Sequence, residues 1–278
     1  MNSNVLSKIF PQRNEDTNKN GLFIFSGPCV VENYDVTMEI AETLAHIQDR
    51  TGVDIAFKAS FVKANRTSIN SFTGLPLQES LQILDTVKKQ FNFKILSDVH
   101  EYTNFDEVGE VVDIFQTPAF LVRQTEFLRR VAQAGKPINI KKGQFLSPQE
   151  MIAVVNKVKS FGNHDLLVCE RGTSFGYNYL INDFRGIQEL LTLDEPLVFD
   201  ATHSVQRPGA LGGTSGGDSQ YAPKLAKAAL AVGANGIFME THPNPSVALS
   251  DGPNMIPLAD MLELVKELKD IHALINKL

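Results

Sequence analysis

Short apolar runs recur along the chain, separated by longer stretches whose apolar positions repeat every three or four residues. Eight such runs, at 22–25, 55–57, 94–97, 112–116, 138–141, 166–169, 197–200 and 236–239, have the length and polar boundaries of buried strands. Between them, Val36, Ile40, Leu44 and Ile47 step by four, four and three, and Leu77, Leu81, Leu84 and Val87 by four, three and three. Each stretch predicts a helix that lays one apolar stripe on a sheet. Ser147-Pro148-Gln149-Glu150 predicts a helix start, with a capping serine, a proline at the first helical position and a glutamate placed to reach back. Leu258, Met261, Leu264, Val265, Leu268 and Ile271 predict a closing helix. Strands alternating with helices, with no linker or composition break, predict one α/β unit, a (β/α)8 barrel over residues 21–278, rather than a doubly wound sheet. The mostly polar residues 1–20 predict an N-terminal cap or hairpin.

A length of 278 residues suits one such barrel. With 43% hydrophobic and 21% charged residues, the composition argues against a disordered or fibrous chain. Lys and Arg number 26 against 32 Asp and Glu, a net charge of −6, which argues against a generic nucleic-acid binder. Two cysteines, Cys29 and Cys169, make no disulfide framework and point to a reducing compartment. No apolar run reaches membrane-spanning length and no leader pattern opens the chain, so a cytoplasmic protein is expected. In that setting the sequon Asn65-Arg66-Thr67 carries no meaning.

A (β/α)8 barrel places its chemistry at the C-terminal ends of the strands, and nearly every end here is polar or ionisable. Period-two alternation puts Lys58 on the side of Ala56 and Ser60, Lys141 with Asn139, and Asp98 with His100, and turns Lys142 away. Lys58, Lys63, Arg66, Arg123, Lys141 and Arg171 then gather around one mouth of an acidic protein, as an anionic ligand of limited size would require. Six cations would balance about two phosphates and one carboxylate, taking each phosphate as roughly −1.5 to −2. The bland alternative for each is a solvated surface charge.

Cys29, His203, Glu240 and Asp251 follow strands one, seven and eight, which become neighbours when a barrel closes. A thiolate, an imidazole and two carboxylates suit a divalent ion such as iron, zinc, manganese or cobalt, with a position left for water or substrate. The competing reading is an inert buried Cys29 and a structural His203. His100 and His242 rank as neighbours of the site, His46 and His164 as surface groups, and Cys169 as core. The glycine-rich segment 207–217 lacks the Gly-Lys-Ser/Thr ending of a phosphate-binding loop and reads as a loop covering the mouth or a plain connector.

Phe57-Lys58-Ala59-Ser60-Phe61, Lys63-Ala64-Asn65-Arg66-Thr67-Ser68, Ser97-Asp98-Val99-His100-Glu101 and Gln116-Thr117-Pro118 carry a resemblance, with Asn139-Ile140-Lys141-Lys142-Gly143-Gln144-Phe145, Arg171-Gly172, Asp200-Ala201-Thr202-His203 and Asp251-Gly252-Pro253. Together they resemble the 3-deoxy-D-manno-octulosonate-8-phosphate synthases, from about residue 20 to residue 275. The sister heptulosonate synthases typically have Lys-Pro-Arg-Thr/Ser where this chain has Lys63-Ala64-Asn65-Arg66-Thr67.

The resemblance implies condensation of phosphoenolpyruvate with D-arabinose 5-phosphate and water, for lipopolysaccharide synthesis, by a homotetramer. It implies phosphoenolpyruvate held by Lys58, Ser60, Lys63, Lys141 and Arg171, with Lys141 and Arg171 on the phosphate and Lys63 near the carboxylate. Asn65 would contact the pentose, Arg66, Thr67 and Arg123 would clamp its phosphate across a subunit interface, and Asp98, Gln116 and Gln144 would line the floor. The metal-independent branch of this family has Asn at the position of Cys29, so the cysteine implies the metal-dependent branch with Cys29, His203, Glu240 and Asp251 as ligands. Catalytic work would fall to Lys58, Lys63, Lys141, His203 and Asp251. Asp218-Ser219-Gln220 departs from relatives that have basic residues there, which leaves open the loop groups that reach the pentose. A Schiff-base aldolase using Lys58 or Lys141, and a non-catalytic phosphosugar-binding barrel, are the competing classes.

Overall fold

The computed structural model describes residues 5–12, 21–66, 68–209 and 216–277. All eight apolar runs form strands: β1 Phe23–Gly27, β2 Asp54–Lys58, β3 Ile95–Asp98, β4 Ile114–Thr117, β5 Ile138–Lys141, β6 Leu166–Glu170, β7 Leu197–Asp200 and β8 Gly236–His242. They pair in parallel and in chain order, and β1 pairs with both β2 and β8, so the sheet closes into a (β/α)8 barrel. The helix Pro148–Ser160 starts where the capping pattern places it, with Ser147 Oγ accepting from Glu150 N and Ser147 N donating to Glu150 Oε2.

Most strand boundaries shift by a residue or more from the apolar runs, and two of the shifts have clear local reasons. β4 begins after Asp113, because the Asp113 carboxylate accepts from Ile95 N and Lys88 Nζ and fixes the entry to the strand. β8 runs on to His242 because Thr241 and His242 pair with a short strand at Ile256–Pro257. A hairpin of Thr173–Phe175 and Tyr179–Ile181 follows β6. The described ends of the glycine-rich segment form a neck, Gln206–Arg207 against Gly216–Gly217, and residues 210–215 lie outside the described residues.

Alternation along the strands divides the barrel interior into two levels. Phe23, Phe25, Ala56, Leu96, Ile114, Leu167, Cys169, Val198 and Phe238 form an apolar lower core. The short helix Val5–Ile9 closes this core with Val5, Ile9 and Phe10, the Phe10 ring lying 5.9 Å from that of Phe23. Further along the same inward rows stand Lys58, Asp98, Gln116, Asn139, Lys141, Asp200 and Glu240, all buried. The outward-facing residues, such as Ile24, Phe57 and Ile140, join the helices in a separate apolar layer. A dry base thus supports a charged upper level at the C-terminal mouth. Among the described residues no helix is long and apolar enough to cross a membrane.

Candidate active site

A cavity of about 290 Å³ opens at this mouth. Lys63, Asn65, Arg66, Asp98, Lys141, Gln144, Arg171, His203 and Asp251 all line it, although they come from six different strand ends and loops along the chain. Lys58, Ser60, Gln116, Cys29 and Glu240 do not line the cavity but hold groups that do or pack beside them. Arg123 is exposed and does not reach this cavity. Thr67 lies outside the described residues.

The lysines are not free cations. Lys58 Nζ lies 2.5 Å from Glu240 Oε1, Lys63 Nζ 3.2 Å from Asp98 Oδ2, and Lys141 Nζ 2.7 Å from Asp200 Oδ2. The Phe238 ring lies 4.1 Å from the Lys141 ammonium and 5.3 Å from that of Lys58, adding a cation–π face. The charge balance read from six cations therefore changes, because three of them have carboxylate partners at the inward positions of other strands. The unmatched donors are on the arginines: Arg66 Nε and Nη2 and Arg171 Nε are buried without a hydrogen-bond partner among the described residues. Buried guanidinium N–H groups left open in this way suit phosphate or carboxylate oxygens.

Burial opposes the charge of Lys141, yet Asp200 and the other anions outweigh it and hold the ammonium above the ordinary lysine range. Burial likewise opposes ionisation of Asp98, and Lys63, Lys58 and Lys141 outweigh it, holding the carboxyl well below its ordinary range. Asp98 also accepts from Ser60 Oγ and Gln116 Nε2, and Gln116 Oε1 accepts from Asn139 Nδ2, so a polar ladder crosses β2 to β5. A depressed carboxyl stabilises the fold above its unfolded value, near 3.9, and that contribution is lost as pH falls through the lower folded value. Asp98→Asn is therefore expected to be less stable than wild type near neutral pH, with the gap closing in acid. Urea midpoints taken from about pH 6 to about pH 2 check this; a gap that stays constant would uncouple the Asp98 charge from folding.

The proposed metal ligands converge by local backbone devices. Gly27 has φ +155°, and a Cβ there would lie 2.3 Å from Lys58 O, so only glycine lets the β1 turn pass this close to β2. Beyond the turn, Ser60 N donates to Cys29 O and Val31 N to Ser60 O, which seats Cys29. Asp251 adopts φ +52°, a left-handed conformation that Asp tolerates better than most residues. Glu32 and His242 steady its loop: Glu32 Oε1 accepts from Leu249 N, and His242 Nε2 is 3.5 Å from Glu32 Oε2.

Ligand atoms of Cys29, Glu240 and Asp251 lie within 4.8 Å of one another. His203 is outside that tight group, with Nε2 at 3.8 Å from Glu240 Oε1 and 3.9 Å from Asp251 Oδ2. Its Nδ1 lies 2.9 Å from Asp200 Oδ2, an arrangement that leaves Nε2 for a ligand and orients the ring. Glu240 Oε2 is buried with no hydrogen-bond partner among the described residues. Burial, then Asp251 and Glu240, push the Cys29 thiol far up. Sulfur and two carboxylates around one point, with the His203 imidazole beside them and one carboxylate oxygen orphaned, fit a divalent ion.

Several groups missed from the sequence connect this cluster to the cavity. Gln206 Oε1 accepts from Arg171 Nη2 while Gln206 Nε2 donates to Asp251 Oδ1. Ser250 Oγ accepts from Arg66 Nη1 and sits 2.9 Å from Cys29 Sγ. Asp200 was legible as an inward residue two positions after Val198 at a strand end, whereas Gln206 and Ser250 carry no sequence signal. Asp218 accepts from Arg207 Nε across the neck of the glycine-rich segment and is committed to that neck.

The chain matches the model of the DAHP synthetase I family over residues 12–277. Proteins named 2-dehydro-3-deoxyphosphooctonate aldolase from Xanthomonas euvesicatoria pv. vesicatoria, Xanthomonas oryzae pv. oryzae and Stenotrophomonas maltophilia are each 54% identical to it over 256 residues. Each alignment covers 92% of this chain and 93% of the relative.

Proposed function

Because the chain belongs to the DAHP synthetase I family, we propose that it condenses phosphoenolpyruvate with D-arabinose 5-phosphate and water, in the cytoplasm, to give 3-deoxy-D-manno-octulosonate 8-phosphate and phosphate for lipopolysaccharide synthesis. The observation that carries this reading is the pair of arginines, Arg66 and Arg171, with buried open N–H groups in one cavity that also holds Lys63 and Lys141. Two anionic substrates can meet there without mutual repulsion.

In this reading Arg171 and Lys141 hold the enol phosphate, and Lys63, with Lys58, Ser60 and Gln116 behind it, faces the carboxylate. Asn65, Arg66 and Thr67 hold the pentose phosphate, with Gln144 and Asp98 beside the sugar. Carbon three of the enol forms a bond to the aldehyde carbon, whose oxygen takes a proton and becomes a hydroxyl. Water adds to the cationic carbon two and gives up a proton. Cleavage of the C–O bond to phosphate then leaves the new ketone. A divalent ion held by Cys29, His203, Glu240 and Asp251 supplies Lewis acidity and positive charge to this chemistry.

A Schiff base fits poorly, since such a lysine needs a neutral amine. Lys141 is held charged beside Asp200, and Lys58 is ion-paired with Glu240. Exposed Arg123 is assigned to a neighbouring subunit's site in a homotetramer. Sedimentation equilibrium is expected to show four chains, and a fully active monomer would remove Arg123 from the clamp.

The test compares acceptors in the metal-loaded protein. Phosphate release from phosphoenolpyruvate is expected with arabinose 5-phosphate and not with erythrose 4-phosphate; the reverse would assign the chain to the heptulosonate reaction.

A further inference from the structure

Lys142 follows Lys141 at the end of β5, and alternation sends its side chain away from the barrel axis. It is 1% exposed, yet nothing in the proposed reaction uses it. Its Nζ is surrounded by oxygens from two separate loops. Gly143 O and Leu146 O, after β5, lie at 3.3 and 3.2 Å. Gly172 O and Thr173 Oγ1, after β6, both lie at 3.3 Å, and Glu170 Oε2 is at 3.5 Å.

The residues between these anchor points line the cavity: Gln144 in the first loop and Arg171 in the second. Two backbone bonds run alongside, Lys142 N to Cys169 O and Ser174 N to Gln144 O. Burial draws the Lys142 ammonium below the ordinary lysine range, against the pull of Glu170. A buried ammonium is costly to keep where an apolar side chain would fill the same space. Its return is a multipoint tie that an apolar group cannot make, since each oxygen would lose this donor.

We propose that Lys142 is a positioning residue, whose ammonium fastens the loops after β5 and β6 together so that Arg171 and Gln144 stay in register on one wall of the cavity. The inference rests on the reading of Arg171 as the group that holds the phosphate of phosphoenolpyruvate. It adds a residue that touches no substrate but sets affinity for it.

Lys142→Ala would leave a hole lined by those oxygens, large enough for a small organic cation. In this variant KM and Kd for phosphoenolpyruvate are expected to rise about tenfold with kcat little changed, the pattern of lost uniform binding. Methylammonium is expected to restore the affinity, and tetramethylammonium, which has no N–H to donate, is not. Lys142→Met with Glu170→Gln removes both charges and preserves volume, so it covers the case in which the alanine variant does not fold. It should show the same rise in Kd without rescue. Wild-type affinity in either folded variant would overturn the proposal while leaving the proposed reaction standing. A wild-type protein that binds no phosphoenolpyruvate by calorimetry would overturn both.

Discussion

Cys29→Ala is expected to lose the divalent ion and to lower kcat/KM on the order of a thousandfold, the scale of several kcal/mol of charge stabilisation. Cys29 is fully buried, 2.9 Å from Ser250 Oγ and 3.0 Å from Asp251 Oδ2, so removing its sulfur opens the one soft position in an otherwise nitrogen and oxygen set. Glu240 and Asp251 would then share a buried space with one donor fewer, and a bound ion would leave under dialysis. Metal analysis is expected to find about one ion per chain in wild type, the number one such ligand set holds, and almost none in the variant. Cobalt-loaded wild type should show sulfur-to-metal charge-transfer absorption, and the variant should lack it. Chelator treatment should mimic the substitution, with activity returning when metal is restored. Full turnover in a metal-free protein would refute the metal reading whatever the fate of Cys29.

Lys141→Met should remove activity and destabilise the fold together, and a second substitution separates the two effects. Lys141 Nζ lies 2.7 Å from Asp200 Oδ2 and 3.4 Å from His203 Nδ1, and Asp200 is fully buried. Taking away the ammonium leaves that carboxylate with one ionisable partner, His203, a loss of about 3–5 kcal/mol for a broken buried pair. It also removes a cation from the wall that would hold the departing phosphate, for which a fall in kcat of roughly 10²–10³ is expected. Lys141→Met with Asp200→Asn discharges both partners, so urea midpoints should return most of the way to wild type. Turnover should not return, because the ammonium that faces the substrate is still missing. Recovery of turnover in the double variant would mean that Lys141 serves only to neutralise Asp200.

The strands were legible because the barrel demands short, doubly buried runs, and all eight appear. The inward rows were legible for the same reason: Lys58, Asp98 and Lys141 lie where period two places them. Pairing was not. Lys58 and Glu240 are 182 positions apart, and no local pattern tells that the inward acid of β8 will meet the inward lysine of β2. That blindness produced the surplus of free cations, which the structure cancels with Glu240, Asp98 and Asp200. The hairpin 173–181 was missed because its exposed Phe175, Tyr177 and Tyr179 show no buried face to set a period. Lys142 was read correctly as pointing away, but its nest depends on where two loops return, which lies beyond any spacing rule.

The most direct measurement uses phosphoenolpyruvate labelled with heavy oxygen in the bridge between carbon two and phosphorus, added to metal-loaded protein with arabinose 5-phosphate. Release of phosphate that depends on the pentose and carries the label, with an eight-carbon keto sugar acid as the other product, is the expected result. Label retained in the organic product, or phosphate released at the same rate without a pentose, would contradict C–O cleavage coupled to condensation in this cavity.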